Sequence, residues 1–331
     1  MYYSFVIPVY NRPDEIDELL ESLVHQQYKN EFEIVVVEDG STVKCDAIVA
    51  KYQAVLNISY YYKSNSGPGD SRNFGMRVAK GSYFIILDSD CIIPANYLNE
   101  VDAYLSKNFV DCFGGPDAAH ESFSDVQKAI NQSMTSFLTT GGIRGGSEKL
   151  GKFQPRSFNM GISKTAFEAS NGFGKIHPGE DPDLSIRLWN LGFKTALIPN
   201  AYVFHKRRID WEKFYKQVNK FGKARPILNQ RYPQYAKITF WFPSVFILGL
   251  IASILLLLIN FKYFIGCYIL YFLILFVESF IKTKNIKIAF LTIIATFIQF
   301  YGYGAGFLYS YFLLNIKKEK AETALPEMFF K

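Results

Sequence analysis

The stretch YFIILDSD, residues 83–90, decides the fold of this chain. Its five leading apolar residues are typical of a buried strand, and the polar Asp88-Ser89-Asp90 that follows marks the point where the strand ends. Two carboxylates spaced i and i+2 beyond a strand can share a hard cation and the oxygens of a diphosphate or a ribose. A solvated turn is the competing interpretation, because Asp and Ser are ordinary turn residues.

Two earlier stretches repeat this pattern. Residues 4–9 and 33–37 are short β-branched-rich runs, and residues 14–25 and 70–80 carry helical spacing. Alternating strands and helices predict an α/β fold with a parallel sheet, in which ligands bind beyond the carboxyl ends of the strands. We therefore expect three polar clusters to converge on one crevice: Tyr10-Asn11-Arg12, Glu38-Asp39-Gly40-Ser41 and Asp88-Ser89-Asp90.

The second cluster can recognise a nucleobase. A carboxylate at this position can accept the imide N–H of a uracil or the amino group of another base, while Gly40 lets the chain turn at low steric cost. A plain turn or a helix cap explains the same residues without any ligand.

The glycine-containing stretch GPGDSRNFG, residues 67–75, favours an anionic ligand. Arg72 stands where a dinucleotide-binding loop needs its last glycine, and no Gly-Lys-Ser/Thr follows, so neither phosphate-loop motif is present. A loop that opens into a helix with an arginine in its first turn still suits an anion. The alternative is an ordinary helix start.

A third group of acids opens another helix, in the stretch HPGEDPDLSIRL at residues 177–188. One of these carboxylates could serve as a general base that accepts a proton from a substrate. Acids in the first turn of a helix are also favoured by the helix dipole alone, so the residues by themselves leave both interpretations open.

Six motifs together resemble the family 2 glycosyltransferases with the GT-A fold, a Rossmann-like nucleotide-diphospho-sugar transferase fold, over roughly residues 1–205. In chain order they are FVIPVYNR, VVVEDGS, SGPGDSRNFG, FIILDSD, FNMG and GEDPDLSIRL. The resemblance implies a nucleotide-sugar donor, a divalent cation (Mn²⁺ or Mg²⁺) and inversion of the anomeric configuration.

The resemblance also implies roles for individual residues. Asp39 would contact the base, Arg72 would hold the nucleotide, and Asp181 would be the catalytic base, with Glu180 positioning it or contacting the acceptor. The implied donor site contains Pro8, Tyr10, Asn11, Arg12, Asp39, Arg72, Asp88 and Ser89. The implied sugar pocket contains Arg156, Asn159, Met160 and Gly161, and the implied metal ligands are Asp90, Asp88 and His205.

The sequence around His205 bears on both the metal and the type of enzyme. A neutral imidazole suits Mn²⁺ better than Mg²⁺, although a lone histidine is more often structural. HKRR, residues 205–208, stands where the processive synthases of the broader family carry QxxRW, which favours transfer of a single sugar. Residues 145–151 are predicted to form a mobile loop, either a lid that excludes water or a loop without function.

Charge and cysteine content indicate a membrane-associated protein of a reducing compartment. The net charge is +6, and residues 206–237 alone contain ten Lys or Arg against Asp210 and Glu212. A basic block directly before a long apolar run is typical of the cytoplasmic side of a membrane, and no nucleic-acid-binding motif accompanies it. The four cysteines form no CxxC pair, and the N-terminus has no basic region of a signal peptide.

The remaining third of the chain predicts a transmembrane region, residues 238–316. Uncharged or nearly uncharged stretches at about 238–261, 263–281 and 288–316 are long enough to cross a bilayer as helices. Residues 206–237 are predicted to form a basic amphipathic helix that lies in the membrane surface or packs on the catalytic domain. Residues 317–331 form a tail.

The topology of the third stretch is ambiguous from sequence. Three full crossings would place Lys317, Lys318 and Lys320 outside the cell, which the positive-inside rule disfavours. The glycines at 302, 304 and 306 allow a bent or re-entrant hairpin instead.

The sequence as a whole predicts an inverting, metal-dependent glycosyltransferase in the cell inner membrane, multi-pass, with a cytoplasmic catalytic domain. Its expected partners are a nucleotide-sugar donor, most plausibly a UDP-sugar, and a lipid-linked or surface-glycan acceptor, with no nucleic acid. Two alternatives stay open: transfer to a polyprenyl phosphate, and a non-catalytic component of a membrane glycan-export complex.

Overall fold

The computed structural model describes residues 1–118, 123–141, 153–206 and 210–330. The chain divides into two compact units. The N-terminal unit contains Met1–His120, Gly146–Lys206 and Phe330–Lys331, and the C-terminal unit contains Glu121–Gly145 and Arg207–Phe329. A segment from the middle of the predicted catalytic domain thus belongs to the same compact unit as the apolar helices.

A mixed seven-stranded sheet in the order β3-β2-β1-β4-β8-β6-β9 organises the N-terminal unit, and β5-β10-β7 form a smaller sheet. Strands β1 to β4 are parallel to one another, whereas β8 is antiparallel to both β4 and β6. The strands are β1 (Tyr3–Val9), β2 (Phe32–Asp39), β3 (Ile58–Lys63), β4 (Tyr83–Leu87), β5 (Cys91–Ile92), β6 (Cys112–Gly114), β7 (Asp117–Ala118), β8 (Asn159–Ser163), β9 (Thr195–Leu197) and β10 (Val203–His205).

Helices cover both faces of the large sheet, because the central strands bury side chains on each side. Phe5 and Ile7 of β1 pack with α1, α2 and α4, while Val6 packs on the opposite face with α3, α7 and α8. The helices are α1 (Pro13–Val24), α2 (Asp46–Tyr52), α3 (Pro68–Val78), α4 (Tyr97–Lys107), α5 (Asp125–Thr135), α6 (Phe137–Thr140), α7 (Lys164–Ser170), α8 (Glu180–Asn190), α9 (Trp211–Arg231), α10 (Phe242–Leu256), α11 (Tyr263–Thr283), α12 (Ile286–Tyr311) and α13 (Ala321–Ala324). The predicted α/β class and parallel strands are confirmed.

Three helical segments of the C-terminal unit are long and apolar enough to span a membrane: Ile238–Ile259, Tyr263–Thr283 and Ile286–Ile316. The third is helical throughout, since α12 continues into a π-helical turn at Phe312–Ile316. The hairpin alternative for this segment is therefore wrong. Its glycines instead admit a neighbouring helix: a Cβ on Gly306 would lie 2.2 Å from the carbonyl oxygen of Asn219.

The predicted basic amphipathic helix exists as α9, but protein covers its apolar face. Phe214 and Val218 are buried in a cluster with residues of α5 and α12, among them Ile130 and Ala295. Its central apolar side chains are therefore not free to enter a membrane surface. Three helices can share this cluster because Gly302 and Gly306 let the α9 backbone come close to α12.

Candidate active site

The polar clusters that end β1 and β4 meet, as the parallel sheet requires. These two strands are neighbours, and the Arg12 guanidinium donates a hydrogen bond of 2.7 Å to Asp90 Oδ2. The cluster after β2 joins them, because the backbone N–H of Asn11, which follows β1, donates to Ser41 Oγ at 2.8 Å. The three clusters therefore form one edge of the sheet.

Asn11 organises the loop after β2. Its Oδ1 accepts hydrogen bonds from the backbone N–H groups of Thr42 and Val43, at 2.8 and 3.0 Å. Asn11 itself adopts a left-handed φ of 52°, which asparagine tolerates better than most residues. Pro8 lies inside β1, Tyr10 is 52% exposed beside the crevice, and Ser89 is buried.

Asp39, the predicted base contact, is buried and holds the loop that leads into α3. Its Oδ1 accepts from Lys63 Nζ at 2.8 Å and from the N–H of Ser66 at 3.0 Å, and its Oδ2 accepts from the N–H of Gly67 at 2.9 Å. Gly40 must be glycine here, because its φ is +71° and a Cβ would lie 2.6 Å from the nitrogen of Asn65.

Arg72 links the acids of two distant motifs. It is 3% exposed, and its guanidinium donates to Asp88 Oδ1 at 2.7 Å and to Glu180 Oε1 at 3.3 Å. Burial alone would lower the pKa of Arg72, but the charges of Asp88, Glu180 and Asp181 raise it, so the guanidinium stays charged. This ionic junction, Arg72 with Asp88 and Glu180, brings the start of α8 to the edge of the sheet.

Glu180 and Asp181 are adjacent in sequence but differ in environment. Glu180 is buried and also contacts His177 Nδ1 at 2.8 Å and the N–H of Gly179 at 2.9 Å. Burial opposes ionisation of Glu180, but the hydrogen bond and charge of His177 and the charge of Arg72 lower its pKa to about 2.

Asp181 is the less constrained of the two acids. Among the described residues nothing donates a hydrogen bond to its buried Oδ1. Burial, followed by the charge of Glu180, raises the pKa of Asp181 to about 6 against the opposing charges of Arg72 and Arg156. A carboxylate with a pKa near the working pH and an unused oxygen has the properties of a general base.

The residues predicted to bind a metal lie close to one another. Asp90 Oδ1 is 3.3 Å from His205 Nε2, and ligand atoms of Asp90, Cys91 and His205 all lie within 4.8 Å of one another. Burial raises the pKa of the Cys91 thiol, so the carboxylate and the imidazole are the donors suited to a divalent cation. Asp90 and His205 therefore suit a divalent cation, although Arg12 already donates to the other oxygen of Asp90, whereas Asp88 is held by Arg72.

The residues predicted to frame a sugar pocket behave differently from one another. Asn159 is buried, accepting from the Tyr97 hydroxyl at 2.6 Å and donating to the Ala201 carbonyl at 2.8 Å. Met160 is fully buried in the core, and a Cβ on Gly161 would clash with the ring of Phe113. These three positions build the sheet beneath the crevice, whereas the Arg156 charge acts on Asp181.

Three residues of this region have no role in the sequence prediction. Lys63 neutralises Asp39, His177 contacts Glu180, and the ring of Phe330 packs on His177 with centroids 5.2 Å apart. The ring also fills the space beside Gly67, where a Cβ would lie 2.4 Å from it. Phe330 is more than 150 positions from both residues along the chain, so no local pattern could identify it. The predicted loop at 145–151 lies outside the described residues.

Comparison with known proteins identifies the family of the N-terminal domain. Residues 4–167 match the family model for glycosyl transferase family 2. This chain contains a family 2 glycosyltransferase domain. The poly(ribitol-phosphate) β-N-acetylglucosaminyltransferase TarS of Staphylococcus aureus is 38% identical over 114 residues, which is 34% of this chain and 20% of TarS. The aligned part thus spans about a fifth of that relative.

Solved structures share the fold of this domain. A mannosyltransferase of Pyrobaculum calidifontis, solved with GDP-Man and Mn²⁺, superposes with a TM-score of 0.55 at 16% identity, covering 71% of this chain and 65% of that one. S. aureus TarS with UDP-GlcNAc gives a TM-score of 0.50 at 19% identity, covering 93% of this chain and 91% of that one. The N-terminal unit therefore has the predicted GT-A fold.

Proposed function

We propose that this chain is an inverting, divalent-metal-dependent glycosyltransferase. It moves one sugar from a nucleotide-diphosphate sugar to a hydroxyl of a lipid-linked or surface-glycan acceptor. The observation that carries the proposal is the contrast between two neighbouring acids: Glu180 is fixed by Arg72 and His177, while Asp181 keeps an unused oxygen and a pKa that burial raises.

In this function Asp181 accepts the proton of the acceptor hydroxyl as that oxygen attacks the anomeric carbon. Attack from the face opposite the departing diphosphate inverts the configuration. Glu180 orients Asp181 by fixing the first turn of α8, and Arg72 adds positive charge next to Asp88.

Asp90 and His205 would hold the cation, Mn²⁺ or Mg²⁺, with Asp88 nearby. The cation supplies positive charge that stabilises the departing diphosphate. The imidazole favours Mn²⁺, and the mannosyltransferase with the same fold was solved with Mn²⁺.

The donor is proposed to be a UDP-sugar. Asp39 offers a buried carboxylate for the base, and TarS, which shares the fold and a related segment, was solved with UDP-GlcNAc. Since TarS is named for transfer to poly(ribitol phosphate), a cell-surface polymer rich in hydroxyl groups is the acceptor class we favour.

The apolar helices support synthesis at the cytosolic face of a membrane, where a multi-pass anchor is the arrangement expected from sequence alone.

A ligand screen on the purified full chain tests the proposal. UDP-GlcNAc, UDP-glucose and GDP-mannose are compared, each with Mn²⁺, Mg²⁺ or chelator, by the shift in melting temperature and by release of nucleoside diphosphate. We expect one donor to stabilise the protein only with metal and to be turned over, and Asp90→Ala to lose both effects. Donor binding that persists in chelator contradicts the metal role, and binding without turnover favours a non-catalytic protein.

A further inference from the structure

Helix α12, with the π-helical turn that follows it, presents a continuous exposed apolar stripe. The side chains of the stripe are spaced three, four or eight residues apart, which places them on one side of the helix. Each is between 44% and 61% exposed. They are Ile286, Phe290, Ile294, Phe297, Tyr301, Tyr309, Phe312 and Ile316.

The first half of α12 is covered elsewhere on its surface by α5, a polar helix. Asp125, at the start of α5, pairs with Lys287 at 2.8 Å, and Ser133, near its end, donates to Gln299 Oε1 at 2.9 Å. The two helices therefore run side by side in the same direction over residues 287–299 of α12.

The second half of α12 is covered by α9 in the same way. Asn219 Nδ2 donates to the carbonyl of Gly302 at 3.0 Å, and Gln230 Nε2 donates to the carbonyl of Leu314 at 3.0 Å. Together α5 and α9 flank the segment from Lys287 to Leu314, which at 1.5 Å per residue is about 40 Å long.

The outward side of α9 is strongly charged. Glu212, Lys213, Lys216 and Lys220 are all exposed. Lys216 and Glu212 form an ion pair at 2.5 Å and keep 67% and 76% of their side-chain surface exposed. These groups lie along the middle of the flanked segment, since Tyr215 stacks on Tyr301 of α12 with centroids 6.0 Å apart.

An upright α12 would place these charges in lipid. The flanked segment exceeds the roughly 30 Å thickness of the hydrocarbon core, so no position of an upright helix keeps both α5 and α9 in water. Exposed charges at that depth are strongly unfavourable.

We propose that helices α10, α11 and α12 do not cross the membrane and instead lie within one leaflet, with α12 parallel to the membrane plane and with α5 and α9 on its aqueous side. Helices α10 and α11 pack on α12 where Phe246, Tyr271 and Phe300 meet, and both expose apolar side chains such as Leu248 and Leu273. A helix is about 10 Å across with its side chains, so α12 lying in the membrane plane fits within a single leaflet of about 15 Å.

The lysines at the helix ends agree with this placement. Lys287 lies at the start of the stripe and Lys317 follows its end, and Lys262 and Lys282 lie near the two ends of α11. With all of these lysines on one side of the membrane, each can reach anionic headgroups of the same leaflet. The conflict between three crossings and the lysines at 317, 318 and 320 then disappears. This placement is independent of the reaction that the N-terminal unit performs.

Cysteine labelling of the full chain tests the placement. In a Cys267→Ser background, where the remaining cysteines are buried, single cysteines replace Glu31, Lys262 or Lys320, all exposed. A membrane-impermeant maleimide is applied to inverted membrane vesicles and to intact cells. Glu31→Cys reports the side of the N-terminal unit, and unchanged melting temperatures show that each variant folds.

In-plane placement predicts that Lys262→Cys and Lys320→Cys label to the same extent as Glu31→Cys in inverted vesicles, and less than a tenth as much in intact cells. Three crossings predict the reverse for positions 262 and 320, and that result overturns the proposal. A protein recovered in the soluble fraction as a dimer overturns it as well, because a second copy would then cover the apolar stripe.

Discussion

Both units bury apolar side chains, but they differ in the polar groups that they bury and in the apolar side chains that they expose. In the N-terminal unit, charged groups such as Arg72 and Glu180 are buried, each with a partner of opposite charge. In the C-terminal unit, large apolar side chains face outward, while glycines and hydroxyl pairs such as Ser279 with Thr292 lie between helices. Buried ion pairs in the N-terminal unit hold charged groups in place at a candidate reactive site. The exposed apolar side chains of the C-terminal unit form a surface that suits lipid.

The largest effect on sugar transfer is expected for Asp181, the buried acid whose Oδ1 receives no hydrogen bond from the described residues. Asp181→Asn should reduce transfer by roughly 10²- to 10⁴-fold, because the amide cannot take the acceptor proton. Donor affinity, measured by the metal-dependent melting shift, should not change. Glu168→Gln, an exposed carboxamide control on α7, should leave both unchanged. Retained transfer by Asp181→Asn would move the base to another residue.

Because the pKa of Asp181 is raised, both the transfer rate and the stability of the protein should depend on pH. The wild-type rate should fall as the pH drops below about 6, because the protonated acid cannot act as a base. For stability the sign is opposite: a carboxylate with a raised pKa in the folded state costs stability as the pH rises through that pKa. Asp181→Asn should therefore melt at a higher temperature than wild type at pH 8, and an unchanged melting temperature would contradict the shift.

The next largest effect is on stability. It compares a buried ion pair of the N-terminal unit with an exposed ion pair of the C-terminal unit. Arg72→Ala leaves Asp88 and Glu180 without their shared partner and should lower the free energy of unfolding by about 3–5 kcal/mol. Lys216→Ala breaks an exposed pair and should change nothing measurable. Urea denaturation of Arg72→Ala is followed by the fluorescence of Trp189 in a Trp211→Phe, Trp241→Phe background, and that of Lys216→Ala by Trp241 in a Trp189→Phe, Trp211→Phe background, so that each change is measured in its own unit. Equal losses of unfolding free energy in the two variants would show that burial does not strengthen the Arg72 ion pairs.

The sequence predicts the meeting of polar residues at the strand ends better than it predicts the ion pairs among them or the packing between helices. Residues 83–90 identify both a strand and its polar end, because an uninterrupted apolar run indicates a buried strand and the carboxyl ends of parallel strands lie at one edge of the sheet. The membership of α5 in the C-terminal unit was not predicted. It depends on Ser133 meeting Gln299, a contact across 166 positions for which no local periodicity exists.

Two glycine substitutions test how closely α9 and α12 pack in the C-terminal unit. Gly306→Val should destabilise it by roughly 1–3 kcal/mol, because even a Cβ would lie 2.2 Å from the backbone oxygen of Asn219. Gly266→Ala, on α11, meets no atom within 4 Å and should stabilise the helix by roughly 0.5–1 kcal/mol. Melting in detergent measures both. Equal tolerance of the two changes would mean that α9 and α12 are not in close contact.

The smallest effect concerns an aromatic ring that joins the N-terminal unit from the far end of the sequence. The backbone N–H of Phe330 donates to the Lys175 carbonyl at 3.0 Å, and its ring packs on His177 beside Gly67. Because His177 contacts Glu180, loss of the ring should loosen the first turn of α8. Phe330→Ala should then reduce transfer by about two- to tenfold, the range expected from the roughly 0.5–1.5 kcal/mol of an aromatic contact.

Phe329→Ala is the matched control for that ring, since Phe329 belongs to the C-terminal unit and stacks under Arg231 at 5.4 Å. It should leave the rate unchanged. Steady-state rates at varied donor and acceptor decide the role of Phe330: a lower kcat with unchanged KM indicates that the ring positions the catalytic turn, because ground-state binding is then intact. A raised acceptor KM would instead show that the ring contacts the acceptor, and equal effects of the two variants would assign Phe330 to folding alone.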